Sequence, residues 1–174
     1  AVHARGMKLI LDWVPNHMGT GSQNTLWMDL LENGPSSPYS RFFDVDWHPV
    51  KPALANRVLV PVLGDHYGVI LERGEIVVGY AHGVFTISYW DHRFPVGPRG
   101  YAMILNLGLD QLTRELGETD GHVQDLQSII TAVNKLPPQT ESRPEKLVER
   151  RREKEVMKRR LADLEARSGR IREH

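Results

Sequence analysis

The stretch "KLILDWVPNHMG", Lys8–Gly19, decides how the fold of this chain is interpreted. Its apolar run Leu9–Leu11 predicts a buried strand, and the polar residues Asp12, Asn16 and His17 follow directly. In parallel α/β folds the loops after the strands carry binding residues, because the scaffold holds them rigidly and leaves them open to a ligand. These three polar residues are therefore a candidate site. The alternative is a turn in which they bond their own backbone.

Length and composition restrict the class of protein. The chain has 174 residues, of which 40% are hydrophobic and 25% charged, as in an ordinary globular domain. No apolar run approaches the ~18 residues of a membrane-spanning helix, and the first residues lack the pattern of a signal peptide. We therefore expect a cytoplasmic protein without a membrane partner. The absence of cysteine excludes disulfides, thiolate zinc sites and a cysteine nucleophile.

The charge is zero overall but is unevenly distributed. Positions 141–174 hold 12 Lys and Arg against 8 Asp and Glu. The segment "RRREKEVMKRR", Arg150–Arg160, suggests a nucleic-acid surface, but Glu153 and Glu155 interrupt it. Alternating charges of this kind are typical of a solvated helix face, so we expect no nucleic-acid partner.

Three zones follow along the chain, 1–45, 46–100 and 101–174. In the first, "AVHARG" predicts the last turn of a helix that ends at Gly6, and Asn24 is placed to cap a short helix that Gly34 and Pro35 end. The sequence thus begins in the middle of an α/β unit, which predicts that it is a fragment of a longer chain. The apolar residues expected on one side of that short helix are Leu26, Trp27, Leu30 and Leu31.

The second and third zones differ in their hydrophobic period. Zone 46–100 has β-branched and aromatic runs in "NRVLVPVLG" and "YGVILERGEIVVGYAHGVFTISYWD", which predict an antiparallel meander of three or four strands. Zone 101–174 predicts helices, one of them ended by Pro137 and Pro138. Met157, Leu161, Leu164 and Ile171 form an amphipathic stripe on the last helix, which is expected to pack on the rest of the protein.

Four tryptophans could stack on sugar faces or fill a core. Trp13, Trp27, Trp47 and Trp90 are scattered, and two of them lie in apolar runs. We interpret them as core residues.

Several of these motifs resemble a known family. "DWVPNH" resembles the first signature of the α-amylase clan of retaining glycoside hydrolases and transglucosylases. "WMDLLENGPSSPYSRFFDVDWHP", "VLVPVLGDHYGVILERGEI" and "FTISYWDHRFPVGP" are similar to segments of the maltooligosyltrehalose synthases within that clan. The resemblance runs from about Val2 to Pro98 and weakens through about Leu164.

The resemblance implies a fold and roles for the site residues. The fold would be α/β, a partial (β/α)8 barrel in zone 1–45 with a small inserted antiparallel subdomain in 46–100 and a helical segment in 101–174. By resemblance, His17 and Asn16 would bind substrate and Asp12 would support the loop. Asn16 resembles a calcium ligand of many amylases, but no second ligand is recognisable, so no metal and no cofactor is expected.

The implied reaction converts the reducing-end α-1,4 bond of a maltooligosaccharide into an α-1,1 bond. A retaining mechanism needs two carboxylates ~5–5.5 Å apart, and in this clan a third assists. The clan places its nucleophile in an Arg-x-Asp signature that this sequence lacks. Asp65 and Asp91 are superficial candidates, but the resemblance places both in the inserted subdomain. We therefore expect the catalytic residues beyond His174 and predict that this chain alone is inactive.

Two alternatives stay open. The chain could be a complete, non-catalytic module that binds glucan or interacts through its helices. It could also belong to another transglucosylase or debranching enzyme of the clan, although the motifs of zone 46–100 argue against this.

Overall fold

The computed structural model describes residues 3–8, 10–13, 17–169 and 171 of the chain. The helices are α1 (Thr25–Asn33), α2 (Tyr67–Glu72), α3 (Pro98–Leu105), α4 (Leu109–Leu116), α5 (Gly121–Lys135) and α6 (Pro144–Arg167), and the strands are β1 (Ile76–Ala81), β2 (Val84–Tyr89) and β3 (His92–Pro95). Short 3-10 turns occupy His3–Arg5, Gly34–Ser36 and Pro52–Leu54. Helices and a small sheet together are consistent with the predicted α/β class.

The three strands form an antiparallel meander in the order β1-β2-β3, as the sequence predicts, although β3 lies just after the runs from which the strands are predicted. The β1–β2 hairpin closes through His82 and Gly83, whose φ angles of 50° and 79° are the positive pair that a type I′ turn requires. The hydroxyl of Tyr101 in α3 accepts a hydrogen bond from the Phe85 backbone N–H of β2, at 3.2 Å. This bond joins the sheet to the helices.

One apolar core lies between the sheet and the helices α3, α4, α5 and α6. Buried side chains in it are Phe85, Tyr101, Ala102, Leu105, Leu112, Val123, Leu126, Ile129, Ile130, Val133, Met157, Leu161, Leu164 and Ile171. The amphipathic stripe predicted for the last helix is therefore confirmed as a core face. Helix α5 ends at Lys135, one residue before the two prolines that predicted its end.

The first helix is also confirmed with its cap. The Asn24 side-chain oxygen accepts hydrogen bonds from the backbone N–H groups of Leu26 and Trp27, at 3.1 and 3.2 Å. Trp27 and Leu30 are buried, and Gly34 follows the last residue with a φ of 59°. The predicted stop at Gly6 is present as well, since it has a φ of 70° after the turn His3–Arg5.

The predicted buried strand is wrong for the residues that can be described. Leu9 lies outside them, and neither 7–8 nor 10–13 forms a strand. Ile10 is 92% exposed and Leu11 77% exposed. A parallel strand is buried only when strands beside it and helices on both faces cover it. Within the described ranges the sheet is the antiparallel meander alone, so this apolar run has no strand to pair with.

Two further predicted strands are also wrong. Residues 56–64 are irregular, and Pro61 within them has no N–H to donate to a ladder. The run "YGVILE" forms α2, in which Ile70 is buried while Tyr67 and Leu71 are exposed. Short apolar runs fit a helix or a strand equally well, and Gly74 with a φ of 67° turns the chain from α2 into β1.

The interpretation of Arg150–Arg160 as a solvated face is wrong for one side of α6. Arg150 and Lys154 have only 3% and 4% of their surface exposed, and Lys158 is nearly buried. These residues recur every fourth position, so they share one helix face. That face packs on α1 and the turn after it, and the remaining charged residues of the segment are exposed or half-buried.

Candidate functional site

Two of the three predicted site residues, Asp12 and His17, can be described, and both precede α1 in the chain. Asp12 and His17 are both exposed, and Asn16 lies outside the described residues. Among the described part of the chain, neither Asp12 nor His17 has a hydrogen bond or ion pair in the structure. Both side chains are therefore exposed, and no hydrogen bond or ion pair joins the one to the other.

The cap of α1 also anchors the end of this segment. The Asn24 side-chain amide donates to the Gly19 carbonyl oxygen at 2.7 Å, while the Asn24 backbone N–H donates to the carbonyl of Gly21 at 3.0 Å. One asparagine thus holds the helix start and the loop that leads from His17. The loop that follows the candidate site is fixed relative to α1.

A cleft of about 430 Å³ opens next to this loop. Thr20 lies on its wall with Trp27 and Phe43, whose ring centroids are 5.1 Å apart at an interplanar angle of 59°. Asp44, Asp46 and Arg57 add two carboxylates and a guanidinium to the same wall. Aromatic faces together with a few fixed polar groups form the usual lining of a site for a small polar ligand such as a sugar.

Sequence reasoning missed this cleft, although the signal was present. Asp44 and Asp46 lie in "RFFDVDWHP", which was valued only for its family resemblance. Of the four tryptophans interpreted as core, Trp27 is buried and Trp47 is half-buried, whereas Trp13 and Trp90 are exposed, so the interpretation fails for those two.

A buried ion-pair cluster holds α1, and with it the cleft wall, against α6. The Glu32 carboxylate of α1 accepts from the Lys154 ammonium at 2.9 Å and pairs with the Lys158 ammonium as well. Burial by itself would raise the pKa of Glu32, but Lys158 and Lys154 outweigh it and hold that pKa below its usual value. Burial also opposes the charge of Lys154, and Glu32 nevertheless raises the pKa of Lys154.

Arg150 extends this contact to the turn after α1. Its Nε donates to the Ser36 hydroxyl at 3.1 Å, and its Nη1 donates to the Pro137 carbonyl oxygen. Arg150 therefore joins α6 to the turn after α1, at Ser36, and to the segment after α5, at Pro137. The cationic face of α6 is a structural support for the cleft.

Neither a metal site nor a membrane span is found in the parts of the chain that the structure describes. No group of three or more His, Asp or Glu side chains there is arranged to hold a metal ion. No helix within the same ranges is long and apolar enough to cross a bilayer.

Comparison with known proteins gives partial matches to glucan-related enzymes. The chain is 38% identical over 93 residues to proteins from two Mycobacterium tuberculosis strains, each described as a "Putative maltooligosyl trehalose synthase"; the match covers 48% of this chain and 12% of each relative. A "Maltogenic alpha-amylase" of Bacillus licheniformis is 45% identical over 42 residues, which are 24% of this chain and 7% of that protein. An "Intracellular maltogenic amylase" of Bacillus subtilis is 41% identical over 49 residues, or 28% of this chain and 8% of the relative.

The resemblance to the α-amylase family is confirmed. No family model matches the chain, and no solved structure matches it. The chain spans about an eighth of the length of the Mycobacterium relatives that it matches.

Proposed function

We propose that this chain is part of an α-glucan-modifying enzyme that converts the reducing-end α-1,4 bond of a maltooligosaccharide into an α-1,1 bond. The observation that carries the proposal is the 38% identity over 93 residues to the two Mycobacterium proteins whose names describe this synthase. The enzyme would be an intramolecular glucosyl transferase, an isomerase by reaction class, and we expect it to act in the cytoplasm.

The proposed chemistry is a retaining one. A carboxylate attacks the anomeric carbon of the glucosyl unit while a carboxylic acid protonates the leaving oxygen. The released glucose then turns and attacks the intermediate through its own anomeric hydroxyl, which forms the α-1,1 bond in place of hydrolysis. The sequence lacks an Arg-x-Asp signature, so the nucleophile would be supplied from outside these 174 residues.

This chain would contribute binding residues to the active site. His17 would donate to a hydroxyl of the glucosyl unit at the cleaved bond, and Asn16 would bind beside it. Asp12 would support the loop that carries both. The exposed state of Asp12 and His17 supports the proposal, because the side chains are available to a ligand. Each hydroxyl held in this way would contribute roughly 0.5–1.5 kcal/mol.

The cleft beside Thr20 would hold a further glucosyl unit of the same substrate. Trp27 and Phe43 offer aromatic edges, and Asp44 and Arg57 offer an acceptor and a donor for hydroxyl groups. The cleft is lined both by α1, through Trp27, and by zone 46–100, for example through Arg57. The inserted subdomain would thereby form one wall of the substrate cleft.

The proposed architecture keeps the three zones of the sequence. Residues 1–45 would belong to a (β/α)8 barrel, 46–100 to an inserted β-rich subdomain and 101–174 to a helical segment. Ile10 and Leu11, which are exposed in this chain, would then be covered by neighbouring strands of the longer protein.

The test uses maltopentaose and measures reducing ends. A longer protein that includes this chain and the expected Arg-x-Asp strand should lower the number of reducing ends at constant total glucose, since an α-1,1 bond has none. An increase in reducing ends would contradict the synthase and indicate hydrolysis. Hydrolysis is the second candidate, which the similarity to the two Bacillus amylases favours. The 174-residue chain alone should leave reducing ends unchanged, and any change would contradict the external location of the catalytic carboxylates.

A further inference from the structure

The β2–β3 turn holds an indole ring in an unusual state. Trp90 has a φ of 53°, in the left-handed region, and 79% of its surface is exposed. Among the described residues the other non-glycine positions with positive φ are Asn56 and His82, which are types that tolerate this region. For a bulky aromatic residue the conformation costs about 1–3 kcal/mol. The exposed ring gains little burial in return, so folding does not account for its presence.

The ring is nevertheless held in one orientation. Its Nε1–H donates to the Glu75 carboxylate at 3.0 Å, and the Tyr89 ring packs against it edge-on with centroids 6.4 Å apart. Glu75 directly precedes β1, whose first residue Ile76 pairs with Tyr89. The carboxylate that orients the indole is therefore fixed by the sheet register.

Further polar groups continue from Glu75 along the same surface. The Arg73 guanidinium lies 3.8 Å from the Glu75 carboxylate and 3.4 Å from that of Asp65. Arg73 and Asp65 are exposed and Glu75 is half-buried, so a ligand can reach donors and acceptors beside the ring. We name Trp90, Glu75, Arg73 and Asp65 the hairpin platform. It shares no residue with the lining of the cleft at Trp27.

We propose that the hairpin platform binds one glucosyl unit of an α-1,4-glucan, as a second contact outside the cleft. The glucose ring presents a face of C–H groups that packs on an indole, and its rim of hydroxyls meets the carboxylates and the guanidinium. The choice of α-glucan rests on the proposed function, while the existence of the platform rests on the geometry of Trp90. The other occupant of such a surface would be a protein segment that covers the ring.

The test is a titration of the 174-residue chain with maltoheptaose, followed by calorimetry and tryptophan fluorescence. Trp90→Ala should weaken binding by about tenfold and remove most of the fluorescence change. Glu75→Ala should weaken binding less and broaden the orientation of the indole, which fluorescence anisotropy reports. Tyr67→Ala removes another exposed aromatic side chain and is the matched control, with unchanged affinity.

A second variant separates lost binding from lost folding. Trp90→Gly relieves the left-handed strain that Trp90→Ala keeps, so its melting temperature should exceed that of Trp90→Ala. Both variants should nevertheless lose maltoheptaose affinity to the same extent. If Trp90→Gly regained affinity together with its melting temperature, the loss in Trp90→Ala would come from folding, and a ligand role for the indole would be contradicted.

The remaining outcomes are also decisive. Binding that is unchanged in Trp90→Ala would overturn the platform and leave the cleft, and with it the proposed function, in place. Absence of any maltoheptaose binding by the chain would overturn the platform as well and would favour a protein segment as the cover of Trp90. The proposed function is tested separately through the products of the longer protein, so the two failures are distinguishable.

Discussion

Gly83, at the tip of the β1–β2 turn, lies directly on the backbone of Lys158 in α6. A Cβ built on Gly83 would be 2.0 Å from the Lys158 carbonyl oxygen and 2.9 Å from its carbonyl carbon. The φ of Gly83 is also positive, at 79°. The turn and the helix can therefore approach this closely only because the residue has no side chain.

Gly83→Ala is expected to destabilise the fold more than left-handed strain alone would. The strain costs ~1–2 kcal/mol, and the clash with the helix backbone adds about 1–3 kcal/mol. Gly74→Ala is the matched control, because Gly74 has a φ of 67° and nothing within 4 Å of an added Cβ. Urea unfolding of both variants measures the difference, and equal losses of stability would contradict the close packing of the turn on α6.

Removal of the Glu32 carboxylate should destabilise the protein strongly. Glu32→Gln removes the carboxylate that the nearly buried Lys154 and Lys158 share. Their uncompensated charge should lower the free energy of unfolding by about 3–5 kcal/mol. Glu149→Gln removes a carboxylate from a half-exposed pair with Lys146 and should cost about 0–1 kcal/mol. Similar unfolding free energies for the two variants would show that the Glu32 cluster is not important to stability.

The same cluster predicts a pH dependence of stability. The pKa of Glu32 in the folded state is lowered from 4.5, so its contribution is complete above that value and is lost as pH falls through the lowered pKa. The pKa of Lys154 is raised from 10.5, so its contribution is present below that value and is lost as pH rises through the raised pKa. Thermal unfolding of Glu32→Gln should therefore show a weaker fall of stability below pH 4.5 than the unaltered chain. Parallel profiles would contradict this assignment.

Asn24 has two functions that substitutions can separate. Asn24→Ala loses the helix cap and the bond to Gly19, so stability should fall by ~1 kcal/mol or slightly more. Asn24→Ser keeps an oxygen for the N–H groups of α1 but loses the donor to Gly19. It should recover most of the stability while the loop around Gly19 exchanges its amide hydrogens faster, which hydrogen exchange measures. If both variants lost the same stability, the cap would not be the dominant contribution.

In the longer protein, His17→Ala should lower turnover of maltopentaose strongly. The reason is the proposed hydrogen bond to the glucosyl unit at the cleaved bond, since a bond strengthened in the transition state raises turnover more than affinity. His48→Ala is a control at an exposed histidine whose backbone N–H, and not its side chain, makes the bond to Asp46. Turnover unchanged by His17→Ala would remove His17 from the proposed site.

Local signals predicted much of the helical part of the fold. Asn24 as a cap, the stop after Lys135 and the stripe at Met157 and Leu161 each depend on residues close in sequence, and the structure confirms them. The strand predicted at Ile10 is wrong because the burial of a strand depends on neighbouring strands and helices, which a short stretch of sequence does not reveal.

The cationic face of α6 could not be predicted for a related reason. Glu153 and Glu155 beside Lys154 indicate a solvated face, but the buried partner of Lys154 is Glu32, 122 residues away. Similarly, Arg150 bonds Ser36 across 114 residues. A pattern within one helix carries no information about such distant partners, so it does not distinguish a buried cationic face from a solvated one.

The dependence of α1 on α6 has a consequence for the order of events during synthesis. A ribosome makes Glu32 long before Lys154 and Lys158, so α1 and the cleft wall beside it lack their buried partners while most of this chain is translated. Contacts between segments so far apart also slow folding, because a long loop must close before they form. Nascent chains released before about residue 158 should therefore leave the Glu32 carboxylate accessible to solvent, and only the completed helix would bring the first and last thirds of the chain to their final positions.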